Sequence, residues 1–164
     1  VSVSDIRDDI IDELKTIPGL GGQEQKIWKF FYESDDVVEA RKFWESTEPS
    51  PSTDKHVNAV MLRRTGREDR EKVAGKEFAM IHSFTARFRY GKGQDPNTEE
   101  TFEGYLEAIM DKLRNNVTIF KRDGLHPEDD GSQSASVTIV NKPLFHVRVW
   151  EADISFVVVE RIFC

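Results

Sequence analysis

The chain reads as an α+β domain: an antiparallel or mixed, curved β-sheet with one long covering helix, an N-terminal helix and long hairpin loops. Three stretches predict it. In Glu77–Tyr90, Phe78, Met80, His82, Phe84, Ala86, Phe88 and Tyr90 fall on one side at period two, the mark of a half-buried strand. Gly91-Lys92-Gly93-Gln94-Asp95-Pro96 breaks that strand, and Asn97 with Glu100 has capping-box spacing. Phe102, Tyr105, Leu106, Ile109, Met110 and Leu113 then recur at helical spacing, predicting a helix over Thr98–Asn115. A long final strand carries Trp150, Ala152, Ile154, Phe156 and Val158 on one side, with a bulge or bend expected near Glu151.

The other elements follow in order. Ser2 or Ser4 is placed to cap a first helix whose stripe is Ile6, Ile10, Ile11 and Leu14, with Asp5, Asp8, Asp9, Asp12 and Glu13 on its other faces. Pro18-Gly19-Leu20-Gly21-Gly22 ends it. Lys26–Glu33, rich in aromatic residues, reads as a strand. Ser34-Asp35-Asp36 is placed to cap a short helix bearing Val37, Val38, Ala40, Phe43 and Trp44, with a strand as the competing reading of this segment. Glu45–Lys55, with Pro49 and Pro51, reads as an exposed loop outside the core. Val57, Ala59 and Met61 start a strand that ends at Arg63-Arg64, and Thr65–Lys76 reads as a long solvated hairpin loop. Val117–Phe120 reads as a brief strand, Lys121–Gln133 as a loop, and Ser136–Val140 with Leu144–Ile162 as a last hairpin around Asn141-Lys142-Pro143.

A chain of 164 residues is the length of one domain, taken as residues 1–164, able to bury roughly two-thirds of its unfolded surface. The net charge of −7 argues against general affinity for nucleic-acid backbone. The lone cysteine, Cys164, allows no intrachain disulfide, and the N-terminus is acidic where a signal peptide is basic, so an intracellular origin without a membrane span is expected.

No catalytic, cofactor or metal motif emerges. His56, His82, His126 and His146 lack partners at metal-ligand spacing and read as structural or solvated. Gly19-Leu20-Gly21-Gly22 and Gly91-Lys92-Gly93 satisfy neither phosphate-loop pattern and read as turns. There is no G-x-S-x-G, which excludes that route to acyl transfer. Asn116-Val117-Thr118 is a chance glycosylation triplet, and the pairs Asp35-Asp36, Glu99-Glu100 and Asp129-Asp130 suit helix N-termini and loop tips.

Two features invite a partner. Arg63, Arg64, Arg67, Arg70, Lys72 and Lys76 face only Glu68, Asp69 and Glu71, so the first hairpin tip is locally basic on an acidic chain. A solvated face competes with a docking site for an acidic protein. Gly104 and Ala108 lie four apart in the main helix, off its apolar stripe, where close approach of another backbone explains small residues.

The order of elements resembles the tail-terminator family of long-tailed bacteriophages, small α+β proteins related to the minor tail protein U of lambda-like phages. The similarity rests on Asp5-Ile6-Arg7-Asp8-Asp9-Ile10-Ile11-Asp12-Glu13-Leu14, on Phe84-Thr85-Ala86-Arg87-Phe88-Arg89-Tyr90 followed by Thr101-Phe102-Glu103-Gly104-Tyr105-Leu106 and Leu113, and on Trp150 to Glu160. It implies a non-enzymatic virion protein, made in the host cytoplasm and placed at the head-proximal end of the tail. Such a protein forms a homo-oligomeric, hexameric ring on the tail tube protein, stops tube growth and later meets the head–tail connector or neck protein. DNA would pass through the lumen without specific binding, with which the net negative charge agrees. Another connector, neck or tube protein is the alternative within this class. A small intracellular ligand-binding domain or enzyme is the alternative outside it.

Overall fold

The computed structural model describes residues 3–22, 24–32, 35–47, 55–73, 77–92, 98–114, 135–144 and 147–163. Along them run α1 (Val3–Leu14), β1 (Ile27–Trp28), α2 (Val37–Trp44), β2 (Glu45–Thr47), β3 (Lys55–Val73), β4 (Glu77–Gly91), α3 (Thr98–Arg114), β5 (Ala135–Leu144) and β6 (Val147–Phe163). The fold class is α+β, as the sequence predicts. One six-stranded sheet has the order β1-β3-β4-β6-β5, with β2 also paired to β3. It is mixed, because β1 runs parallel to β3 while the other pairs are antiparallel.

Both faces of the sheet carry a core, and strand alternation divides the residues between them. On one face Val60, Leu62, Phe84, Ala86, Phe88, Ala152, Ile154 and Phe156 pack under Ile6, Ile10 and Leu14 of α1 and Phe102, Leu106, Ile109 and Leu113 of α3. Phe88 stacks on Phe102 with ring centres 5.4 Å apart, and Phe102 on Trp150 at 5.9 Å. On the other face Val57, Ala59, Met61 and Val149 meet Trp44, with Trp28, Phe31, Tyr32 and Phe43 around them. Trp28 donates its indole N–H to the Phe43 carbonyl at 2.8 Å, joining β1 to α2. Asp36 caps α2 by accepting from the Val38 N–H at 2.9 Å.

Several boundaries differ from expectation. Ser4 lies inside α1, past the capping position, while Ser2 is outside the described residues. The strand expected over Lys26–Glu33 shrinks to Ile27–Trp28. Phe31 and Tyr32 serve the second core from irregular backbone, where their bulk matters more than their strand propensity. Glu45–Thr47 is strand, not exposed loop: Glu45 pairs with Val57 and Ser46 with His56, and both side chains are buried.

The largest correction concerns Thr65–Lys76. Residues up to Val73 continue β3 and pair with β4 as far as Glu77, so the expected solvated loop is ordered ladder. Backbone pairing to a long neighbour holds it, despite the lack of an apolar side. Register breaks fall between Arg64 and Gly66 and between Glu71 and Val73. None falls at Glu151, which pairs in unbroken register with Arg89 and Val140. Asn141-Lys142-Pro143 also belongs to a strand, opposite Trp150, Val149 and Arg148. Pro143 is tolerated because β5 is an edge strand and one side of its backbone needs no N–H. Asn97, Val117–Phe120 and Lys121–Gln133 lie outside the described residues.

Candidate interaction surfaces

The basic segment is part of a sheet edge. β1 pairs with β3 at Val60 and Met61, and β2 at Lys55 to Val57, so from Leu62 to Val73 the described residues pair β3 on the β4 side alone. Around this edge β3, β4 and β6 form a three-stranded arm, in which β4 runs from Ser83 to Glu77 with β3 on one side and β6 on the other. Those seven residues extend about 20 Å at strand rise.

Alternation separates the arginines, which the sequence presents as one patch. Arg63 is exposed and lies opposite Thr85, its guanidinium 5.8 Å from the centre of the Phe31 ring. Arg64, opposite Phe84, is half-buried on the helix-covered face near Arg7. Arg7 donates to the Lys29 carbonyl, lies 4.5 Å from the Phe30 ring centre, and reaches the Leu62 carbonyl at 3.4 Å. Burial first, and then the like charge of Arg64, hold its guanidinium pKa below the ordinary value. Arg67 is exposed opposite His82, with a guanidinium nitrogen 3.0 Å from the Met80 sulfur. Arg70 and Lys72 are described in backbone alone, Arg70 opposite Ala79. Lys76 lies outside the described residues.

The second candidate pair lies on α3. Gly104 is exposed, and a Cβ built on it would meet nothing within 4 Å, so no backbone among the described residues explains it. Ala108 is half-buried and packs against the main core, which corrects its placement off the apolar stripe. Sequence reasoning missed what surrounds Gly104. Glu99, Glu103, Glu107 and Asp111 follow one another at four-residue spacing, all exposed, with Glu100 beside them. None forms an ion pair with a described residue. Like charges at this spacing destabilise a helix by about 0.2–0.5 kcal/mol per pair. The four-residue spacing was the signal, hidden because charge on a helix reads as ordinary solvated surface.

The remaining candidates have structural surroundings. His56 and His82 are buried in the sheet, while His126 and His146 lie outside the described residues. Among the described residues no group of three or more His, Cys, Asp or Glu side chains is close enough to hold a metal ion. Gly19, Gly21 and Gly22 form a turn at positive φ, fixed by Asn58. A Cβ on Gly21 would lie 2.8 Å from the Lys26 nitrogen. On the sheet face away from α1 and α3, Arg87 forms a two-point bond with Asp153 at 2.8 and 3.1 Å, and Arg89 and Lys142 both bind Glu151. This network ties β4 to β6 and β5. No described helix is long and apolar enough to cross a membrane.

No protein-family model matches the sequence, and no curated protein matches it.

Proposed function

We propose that the chain is a structural virion subunit, a tail terminator that forms a ring on the tail tube, ends its growth and offers the head-joining surface. The observation that supports this most is the arm. Three hydrogen-bonded strands hold a basic edge in fixed geometry, whereas a solvated loop of the same composition would lose conformational entropy on docking. A protein that stacks on a preformed tube needs such a preorganised contact. The exposed helix face at Gly104 gives a further surface for a neighbour, and the net charge of −7 suits a conduit that does not retain DNA.

The test is electron microscopy of tail tubes polymerised with and without the protein. Uniform tubes ending in a ring are expected with it, and irregular overgrown tubes without it. Tube lengths and ends that ignore the protein would overturn the assignment.

A further inference from the structure

We propose that the basic edge of β3 in one copy lies along the acidic outer face of α3 in the next, a head-to-tail contact. This deepens the ring assignment above and rests on it for closure into a ring.

Three observations on α3 carry it. The carboxylates of Glu99, Glu103, Glu107 and Asp111 form a ridge without an ion-pair partner among the described residues, and each neighbouring pair of them weakens the helix. Glu99 and Glu100 in the first turn are offset by the helix dipole, but Asp111 lies near the C-terminal end, where a carboxylate is disfavoured. A cationic neighbour relieves both penalties. Gly104 leaves a notch beside the ridge, open to an incoming arginine.

The dimensions also agree. The ridge from Glu99 to Asp111 is about 18 Å long at helical rise. Arg64 to Arg70 extends about 20 Å at strand rise. Because β3 is an edge here and Arg63 and Arg67 are both exposed, one on each side of the sheet, the split between them does not prevent them from flanking one ridge. Within one copy the two surfaces do not meet: α3 rests on β4, β5 and β6 with the ridge exposed, and no ion pair joins it to β3 among the described residues. Two different, complementary patches make a heterologous contact, which closes into a ring or propagates as a helix.

Edge charges also serve to prevent unwanted strand pairing, and the experiment separates the two roles. Full-length Glu99→Lys/Glu103→Lys/Glu107→Lys and Arg63→Glu/Arg67→Glu/Arg70→Glu chains are compared with the parent by sedimentation at low and raised salt. Circular dichroism confirms their fold, and a Glu99→Gln/Glu103→Gln/Glu107→Gln chain provides neutral substitution. The parent should self-associate at low salt and dissociate as salt rises. Each reversed variant alone should remain monomeric, the neutral variant should associate more weakly with a shallower salt dependence, and an equal mixture of the reversed variants should associate again.

Reversed variants that associate like the parent would overturn the contact, leaving the basic edge as protection against strand pairing. So would a mixture that stays monomeric, or a parent that does not associate at low salt. If rings persist in the reversed variants, the contact falls and the ring stands. If the contact forms but yields open assemblies that never cap a tube, the terminator assignment falls and the contact stands.

Discussion

Arg89 stacks on Trp44: its guanidinium carbon lies 4.1 Å from the centre of the indole, while its Nε donates to Glu151 at 3.0 Å. One side chain thus links β4, β6 and the end of α2. With Arg89 5% exposed and Glu151 7% exposed, neither charge is freely hydrated. Arg89→Met should destabilise the fold by about 2–4 kcal/mol, near the lower end for breaking a buried pair because Arg87 and Lys142 still serve Glu151. Arg89→Lys should recover only part, since an ammonium cannot both stack and fork. Urea denaturation followed by tryptophan fluorescence measures both.

Glu151 gives the fold a defined acid sensitivity. Burial pushes its carboxyl pKa up, but Lys142, Arg89 and Arg87 outweigh that and hold it below the ordinary 4.5. The unfolded chain therefore binds this proton more readily than the folded one. The stabilisation is present above about pH 4.5 and is lost as pH falls through the lower, folded value. Glu151→Gln should be clearly less stable than the parent at about pH 7, and the gap should narrow steadily below about pH 4.5. Paired urea titrations across that range test it; a gap independent of pH would show that size and hydrogen bonding, not charge, matter at this position.

The glycine turn after α1 depends on Asn58. Its side chain accepts from the Gly21 N–H and donates to the Gly19 carbonyl, each at 3.0 Å, and it is buried. Asn58→Ala leaves both backbone groups without that partner and should cost about 2 kcal/mol. Asn58→Asp keeps the acceptor and loses the donor, so it should also destabilise. Hydrogen exchange at the Gly21 amide should accelerate in the alanine variant well before global unfolding.

Gly104 separates fold from assembly. Open space around its Cβ and a mid-helix position mean that Gly104→Ala should stabilise the isolated chain by about 0.5–1 kcal/mol. Gly104→Leu should keep the circular dichroism of the parent while blocking ring formation or tail capping. Normal assembly by the leucine variant would exclude this position from a subunit contact.

What was legible in the sequence was what apolar periodicity marks. β4, α3 and β6 each bury one side against a core, so Phe84, Phe88, Phe102, Ile109, Ile154 and Phe156 announce themselves. Glu45-Ser46-Thr47 has no apolar residue at all, yet it is strand because His56 and Val57 give it a partner. The arm was hidden for the same reason: from Arg63 to Glu71 backbone pairing, not burial of an apolar face, holds the ladder. Composition did reveal the excess of arginine, but β alternation splits it between two faces, and linear counting sees no faces. The acidic ridge needed the helix to be known before its spacing had meaning.

The last described strand, β6, lies inside the sheet only as far as Phe156; from Val157 to Phe163 the described residues pair it with β4 alone. β6 lies between β4 and β5, and its partners extend from Trp150 opposite Tyr90 to Phe163 opposite Glu77. During synthesis, then, β4 has β3 alone as a neighbour and β5 has none until residues 147–163 have followed. A nascent chain stalled before that point lacks one outer strand of the arm, the one that flanks β4 opposite β3. Synthesis of residues 147–163 is thereby a precondition for the complete arm, and copies ended before them lack it.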